Sequence, residues 1–536
     1  MKKTQKASIT VFATLSFMLV LAVSFSLLEA ARITEIQKVT RMNSDAVLEG
    51  VFAEYNTPLY QKYGLLGYWA DNEKGNVSFD STISKIQNYT YQNLKNQPYL
   101  YNKNALNLLR VSNCDIKVEK YMLMTDDNGR AFTQSIVEKE KRTIPQRLVN
   151  ELKERLRNID ANKSGDKMDK DLDDAQEAID NPKEYAKKHN ISLEDNYKKE
   201  ASKNNSTIDV PNDNNTVNKV SDEVSKFPVN QSEAVSNEKT NPLKVINNLR
   251  KKGILELVLE KPGEVSNNEI DLKNSLSKRR ILSGNIKVTS ESMLIDKVAL
   301  THYFSEYFSS YTKPRREGAL QYEQEYILSG KKDDCSNLKS TINKILVMRT
   351  ASNMAAIYKD PSKMSQIEAL ANSLGVVTAN PVIMKCAKIG LITAWAYGES
   401  ILDLRTLMSG GKISIIKSQN EWTLGLSNIG SLTDLKFKAK ENKKGIKYED
   451  FLSAFLALKN QKETTINAMD IIEHTIAQQK GYEKFRLDNV IIEAEVDYRY
   501  RINTVFLGFV NLNTSKISSV EINNKSRYSY LKNCKE

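Results

Sequence analysis

Between Lys6 and Glu29 the chain runs through twenty-two residues, ASITVFATLSFMLVLAVSFSLL, without a charge. A helix rises about 1.5 Å per residue, so residues 7–28 match a hydrocarbon layer of roughly 30 Å. A core helix of a soluble domain is apolar on one face, whereas this one is apolar on all of them. The segment therefore predicts a transmembrane helix. A cleaved signal fits less well. Its apolar region is usually shorter and ends in a small-x-small site, and Leu27-Leu28-Glu29-Ala30-Ala31 has no small residue three positions before a cut after Ala30 or Ala31. Flanking charge decides orientation less sharply, because Lys2, Lys3 and Lys6 on one side face Arg32, Lys38 and Arg41 on the other. The tighter cluster and the α-amine favour an N-terminus inside and a body outside.

No breaker follows Leu28 before Thr57-Pro58, so residues 29–57 predict a stalk helix continuous with the anchor, 45 to 50 residues in all. Ile33, Ile36, Val39, Met42, Ala46 and Val47 recur at helical steps and predict its buried stripe. That stripe would pack on the chain's own body or on a second copy.

Residues 58–159 begin that body. Ile116 and Val118 alternate as in a strand, Asp126-Asp127-Asn128-Gly129 is a turn signal, and a charged helix is expected from Ala131 to Arg157 with a break at Pro145. Residues 160–242 are dominated by Lys, Asp, Glu, Asn and Ser, too polar to offset their ordering entropy, and predict a largely disordered insertion. Residues 243–536 predict the main domain. Helices are expected at 292–310, 318–329, 334–358, 363–374, 381–409, 448–458 and 463–480, with a short strand at Ile413–Ile416 and three antiparallel strands in the tail. The predicted class is α+β.

The net charge of +12 is spread along the chain. No dense basic tract with interleaved aromatics suggests nucleic-acid binding, while anionic wall polymer stays a candidate partner. Cys114, Cys335, Cys386 and Cys534 stand far apart without a C-x-x-C pair. They predict inert thiols ahead of a single long-range disulfide. Three histidines, His189, His302 and His474, offer no metal-ligand spacing, and no metal or other cofactor is expected.

Ile389–Tyr397 is apolar, but only ten uncharged residues separate Lys388 from Glu399, which is half a membrane span. A buried core helix is expected there. On it Glu399 and Asp403 lie at i and i+4 and share a face. Glu323 and Glu325 form a second carboxylate pair, and Arg349 and Arg405 are available to either. These groups suit an acid/base pair or a hard-cation site, yet two carboxylates at helical spacing more often form a buried ion-pair network. Gly410-Gly411 is a helix stop and not a phosphate loop, since G-x-x-x-x-G-K-[ST] is absent. G-x-S-x-G, H-E-x-x-H and an EF-hand pattern are absent too. No catalytic residue is assigned and no enzyme is expected.

The N-terminus, with its Lys-rich tail, Ala7-Ser8-Ile9-Thr10-Val11-Phe12 opening the apolar helix, Glu29-Ala30-Ala31-Arg32 closing it and Asn43-Ser44-Asp45-Ala46 in the stalk, resembles the TadE/TadG-like pseudopilins of tight-adherence (Tad/Flp) pilus systems. The segments VFAEYNTPLYQKYGLL (51–66), IDLKNSLSKR (270–279), LQYEQEYILSGKKDD (320–334) and AWAYGESILDLRTLMSGG (394–411) resemble an uncharacterised family of anchored Gram-positive proteins found with such pilus loci. The resemblance implies an external body and partners among pilin or secretion-platform proteins. Phe12 stands where a prepilin cut after Ala7 would need Glu, which implies an uncut minor component. Three readings follow: a non-catalytic part of a Tad-like pilus or secretion assembly, a surface protein docking on anionic wall polymer, and a wall hydrolase using Glu399, Asp403 or Glu325.

Overall fold

A computed structural model describes residues 4–73, 76–95, 108–140, 177, 184, 187–188, 241–288, 293–314, 318–375, 381–506 and 519–531. The expected charged helix beyond 140 with its break at Pro145, nearly all of the 160–242 insertion, and Cys534 lie outside these residues. The protein is α+β, as its patterning predicts. Its two compact units do not follow chain order. One comprises 1–143, 273–300 and 472–536, the other 144–272 and 301–471.

The first unit is organised by helix α1, Thr4–Phe52, and a four-stranded sheet. As expected, α1 joins the apolar span to the stalk without interruption. It is the one helix among the described residues long and apolar enough to cross a membrane, and Ile9, Phe12, Phe17, Met18 and Leu19 are bare. The chain thus carries a segment suited to single-pass anchoring. Beyond Leu28 the helix packs on its own unit, but the predicted stripe needs correction. Met42 is 71% exposed and Ala46 is also exposed, while Ile36, Thr40, Asn43, Ser44, Val47, Leu48, Val51 and Phe52 are buried.

Asn43 and Ser44 on this face are paired with the sheet, while Thr40 donates to carbonyls of its own helix. Strand β5, Val490–Asn503, lies at the sheet's centre, with β4, Val111–Leu123, antiparallel along one edge. Strand β6, Ser519–Ser529, and the short β1, Tyr68–Trp69, pair with β5 as well. On β5 Val496, Tyr498, Tyr500 and Ile502 are buried and Arg499, Arg501 and Asn503 are exposed, the period-two pattern of a sheet covered on one face. Ser44 Oγ lies 2.9 Å from the Tyr500 hydroxyl, and Asn43 Nδ2 donates to that hydroxyl at 3.4 Å. Ser526 Oγ donates to Asp45 at 2.7 Å. The tail contributes two strands among the described residues where three were expected, and β4 comes from a distant part of the chain. Cys114 on β4 is a buried thiol, which burial pushes up to about 12. The Asp127-Asn128-Gly129 turn is left-handed, at φ 52, 56 and 87°, and leads into the helix that ends at Glu140.

The second unit is built around helix α11, Pro381–Met408. Helices α5 (Pro242–Arg250), α6 (Ile254–Val258), α9 (Asp334–Tyr358) and α10 (Pro361–Gly375) pack on it. Ala387, Leu391, Ile392, Ala394, Trp395, Ile401, Leu402 and Leu404 are buried, as expected of a core helix. Helix α9 and the helix at Tyr448–Leu458 fall where periodicity places them. The helix expected at 318–329 spans Glu323–Ser329 and so starts five residues later. Its N-cap carbonyl belongs to Tyr322, whose N–H, with that of Gln321, is drawn away to Asp334. Ile413–Ile416 is not a strand: only Ile413 bridges, to Ile446.

Candidate functional site

Gly398 leaves room for leucine side chains of the following segment against α11, beside a buried polar cluster of the second unit. A Cβ there would sit 2.6 Å from Leu424 Cδ2 and 2.9 Å from Leu432 Cδ1. Its absence lets the 422–432 segment lie directly on α11, one residue from Glu399. The Leu424 N–H then donates to Glu399 Oε2 at 2.7 Å and the Thr423 N–H to Oε1 at 3.1 Å. Trp395 and Trp422 close the site edge to face, and both indole N–H groups donate to the Leu424 carbonyl, at 2.7 and 2.8 Å.

One helical turn on, Asp403 receives Arg349 from α9, with Nε at 3.0 Å and the other nitrogen at 2.9 Å from Oδ2. Asn353 Nδ2 donates to the same oxygen at 3.2 Å and to Ser400 Oγ at 2.9 Å. Lys417 bridges the two carboxylates, pairing with Glu399 Oε1 and standing 2.6 Å from Asp403 Oδ1. Arg349 spends its remaining donors on the Ile415 carbonyl, at 2.6 Å, and on Asn353. All four charged side chains are no more than 2% exposed. Two cations face two anions.

Burial raises Glu399, against the pull of Lys417. Burial pushes Asp403 the same way, but the charges of Arg349 and Lys417 outweigh it and hold Asp403 below the ordinary carboxylate range. The two carboxylates thus differ in what dominates: burial at Glu399, the two facing cations at Asp403.

The i, i+4 sharing of a face by Glu399 and Asp403 is as expected, and so is the pairing of Arg349 with Asp403. Arg405 is a correction. It meets no carboxylate but donates to the carbonyls of Leu257 (2.8 Å), Leu432 (2.7 Å), Asp434 (2.7 Å) and Phe437 (3.0 Å), and burial lowers it to about 10. It faces helix ends and loop carbonyls that sequence reading could not place. Glu323 and Glu325 lie in a separate cluster. Glu323 accepts from Ser309 N–H (2.8 Å) and Oγ, and Glu325 from Tyr311 N–H (2.9 Å) and the Tyr448 hydroxyl (2.8 Å). Burial pushes Glu325 up to about 7. Sequence reading missed Lys417, Asn353 and Trp422, because nothing local marks a lysine in an irregular segment as the partner of a helix fourteen residues earlier. Among the described residues no group of three or more His, Cys, Asp or Glu is placed to hold a metal ion.

A second buried charge cluster lies in the first unit. Arg32 pairs with Glu29 and donates to the carbonyls of Leu108 (2.5 Å) and Asn503 (3.0 Å). Glu29 Oε2 accepts the N–H groups of Val505 (3.1 Å) and Phe506 (2.7 Å). The pair sits on the first turn past the apolar run and ties α1 to the end of β5.

An α+β body, one membrane-compatible helix near the N-terminus and, among the described residues, buried charges that bind structural elements to one another define a chain suited to single-pass anchoring, with internal polar clusters. The chain belongs to a family of unknown function (DUF5702), whose model matches residues 232–502, just over half of the chain, including every member of the Glu399–Asp403 network. No curated protein and no solved structure matches it.

Proposed function

We propose that the protein is a non-catalytic, membrane-anchored component of a Tad-like pilus or secretion assembly, similar to a minor pseudopilin. Its N-terminus lies in the cytoplasm and its body outside the cell membrane. The observation that carries this reading is the unbroken helix Thr4–Phe52, half lipid-compatible and half packed on the body, a form suited to standing beside other pilin-like helices. Lys2, Lys3 and Lys6 and the N-terminal resemblance support the orientation. Glu399, Asp403 and Glu325 are fully buried and partnered, which supports a structural role for them over a wall hydrolase. Deleting the gene should abolish or shorten surface pili and lower export of their subunits. Unchanged pili and export would sink the reading. The net charge of +12 favours a second, binding reading, docking on anionic wall polymer. Retention on purified walls should then fall steeply as salt rises.

A further inference from the structure

Contact between α1 and its unit continues past Glu29 into the charge-free run. Phe25 lies one helical turn before Glu29, inside the charge-free run, and its ring stacks on Phe506 at 6.4 Å between centroids, 14° from parallel. Phe506 is held there by its own N–H on Glu29 Oε2 and by the neighbouring bond from Val505. On another side of the same clamp Leu108 offers its carbonyl to Arg32 and leaves its side chain 38% exposed.

The helix has little room to slide. Twenty-two residues rise about 33 Å, close to the roughly 30 Å that the hydrocarbon layer requires. Lifting Phe25 clear of the lipid would withdraw four residues, about 6 Å, and leave a span of about 27 Å, at the short end of what the hydrocarbon layer requires. Drawing the helix deeper would carry the Glu29–Arg32 pair and its hydrogen-bonded strand end into hydrocarbon, where charge and backbone polar groups are costly. Position 25 is therefore fixed near the upper acyl region, and whatever stacks on it shares that depth.

We infer that the segment just after β5, at Phe506, together with Leu108, forms a lipid-contacting collar that seats the body flush on the bilayer at the boundary between acyl chains and headgroups. The occupant of this surface is the membrane itself. The Phe506 ring and the Leu108 side chain gain by leaving water at that depth, and the Glu29–Arg32 clamp satisfies the polar backbone brought there. The body is thereby held at one height and one rotation about the anchor, and does not swing on a tether. The inference rests on membrane anchoring by α1 but is independent of the pilus reading and of orientation.

The test uses the full chain reconstituted in phosphatidylcholine–phosphatidylglycerol vesicles, with a diazirine-bearing phenylalanine placed in separate chains at position 506, at position 17 within the span, or at position 60, exposed on the body. After illumination, lipid adducts are read by mass spectrometry of the labelled peptide. Adducts are expected at 17 and 506, with none at 60. Adducts at 17 without any at 506 overturn the collar and leave the anchor standing. Absence at both positions overturns the anchor and the collar with it. Glu29→Ala, which removes the acceptor for both N–H groups, should cause loss of adducts at 506 but not at 17; equal yields at 506 would overturn the clamp.

Discussion

Two of the buried charge clusters, one in each unit, use the same chemistry for different ends. In the second unit Glu399, Asp403, Lys417 and Arg349 chiefly neutralise one another, and their side chains join α11 to α9 and to the segment that follows. In the first unit Glu29 and Arg32 form one short pair on a single helix, and most of their bonds go outward to the backbone at 108, 503, 505 and 506. The network fills a core. The clamp fixes a position, binding a membrane helix to a strand end more than 470 residues away. Buried charge in this protein therefore reports which elements must stay together, and neither cluster requires chemistry on a substrate.

The sharpest way to break this comparison is to remove one anion from the network. Asp403→Ala leaves Arg349 and Lys417 facing a single carboxylate, and losing one partner of a buried pair costs about 3–5 kcal/mol. Thermal or denaturant unfolding of the second unit should shift accordingly. Glu399→Gln should cost less, about 1 kcal/mol, because the amide oxygen can still accept the Thr423 and Leu424 N–H groups and Lys417 keeps Asp403 as its anion. Equal losses from the two substitutions would contradict the division of roles.

Arg32→Ala in the clamp should come next, at about 2–3 kcal/mol, since several backbone carbonyls lose a donor and Glu29 is left buried without its cation. Hydrogen exchange should show the loss locally, at Asn503–Phe506, while the second unit stays protected. Opening of the second unit as well would contradict a purely local clamp.

A pH dependence traceable to one carboxyl of the second unit comes last. Glu325 has its carboxyl raised from 4.5 to about 7 by burial. The folded state then binds a proton more tightly than the unfolded state, so stability is highest below about pH 4.5 and declines as pH rises towards about 7. The decline should be of the order of 1–3 kcal/mol, and Glu325→Gln should flatten it. An unchanged slope in that variant would assign the titration elsewhere.

Local patterns were legible before the fold. The continuity of α1, helices 334–358 and 448–458, and the core character of 389–397 all follow from periodicity and breakers, which act within a few turns. The shared face of Glu399 and Asp403 is equally local. What lay beyond reach depends on residues remote in the chain. Asn43 and Ser44 are buried, and Met42 and Ala46 are not, because the Tyr500 hydroxyl on β5 meets the polar pair, which hydropathy alone scores as exposed. Lys417 read as part of a loop after a short strand, and its role appears only once Gly398 brings 422–424 against α11. Arg405 read as an ion-pair partner, whereas the carbonyls it satisfies come from segments up to 148 residues away.

Intact cells treated with a protease that cannot enter them offer the most direct measurement. A body carried outside by a single span predicts that everything after α1 is digested, a short anchor fragment remains with the membrane, and cytosolic proteins are untouched. A full-length chain that survives on intact cells and is cut only after lysis would contradict the account.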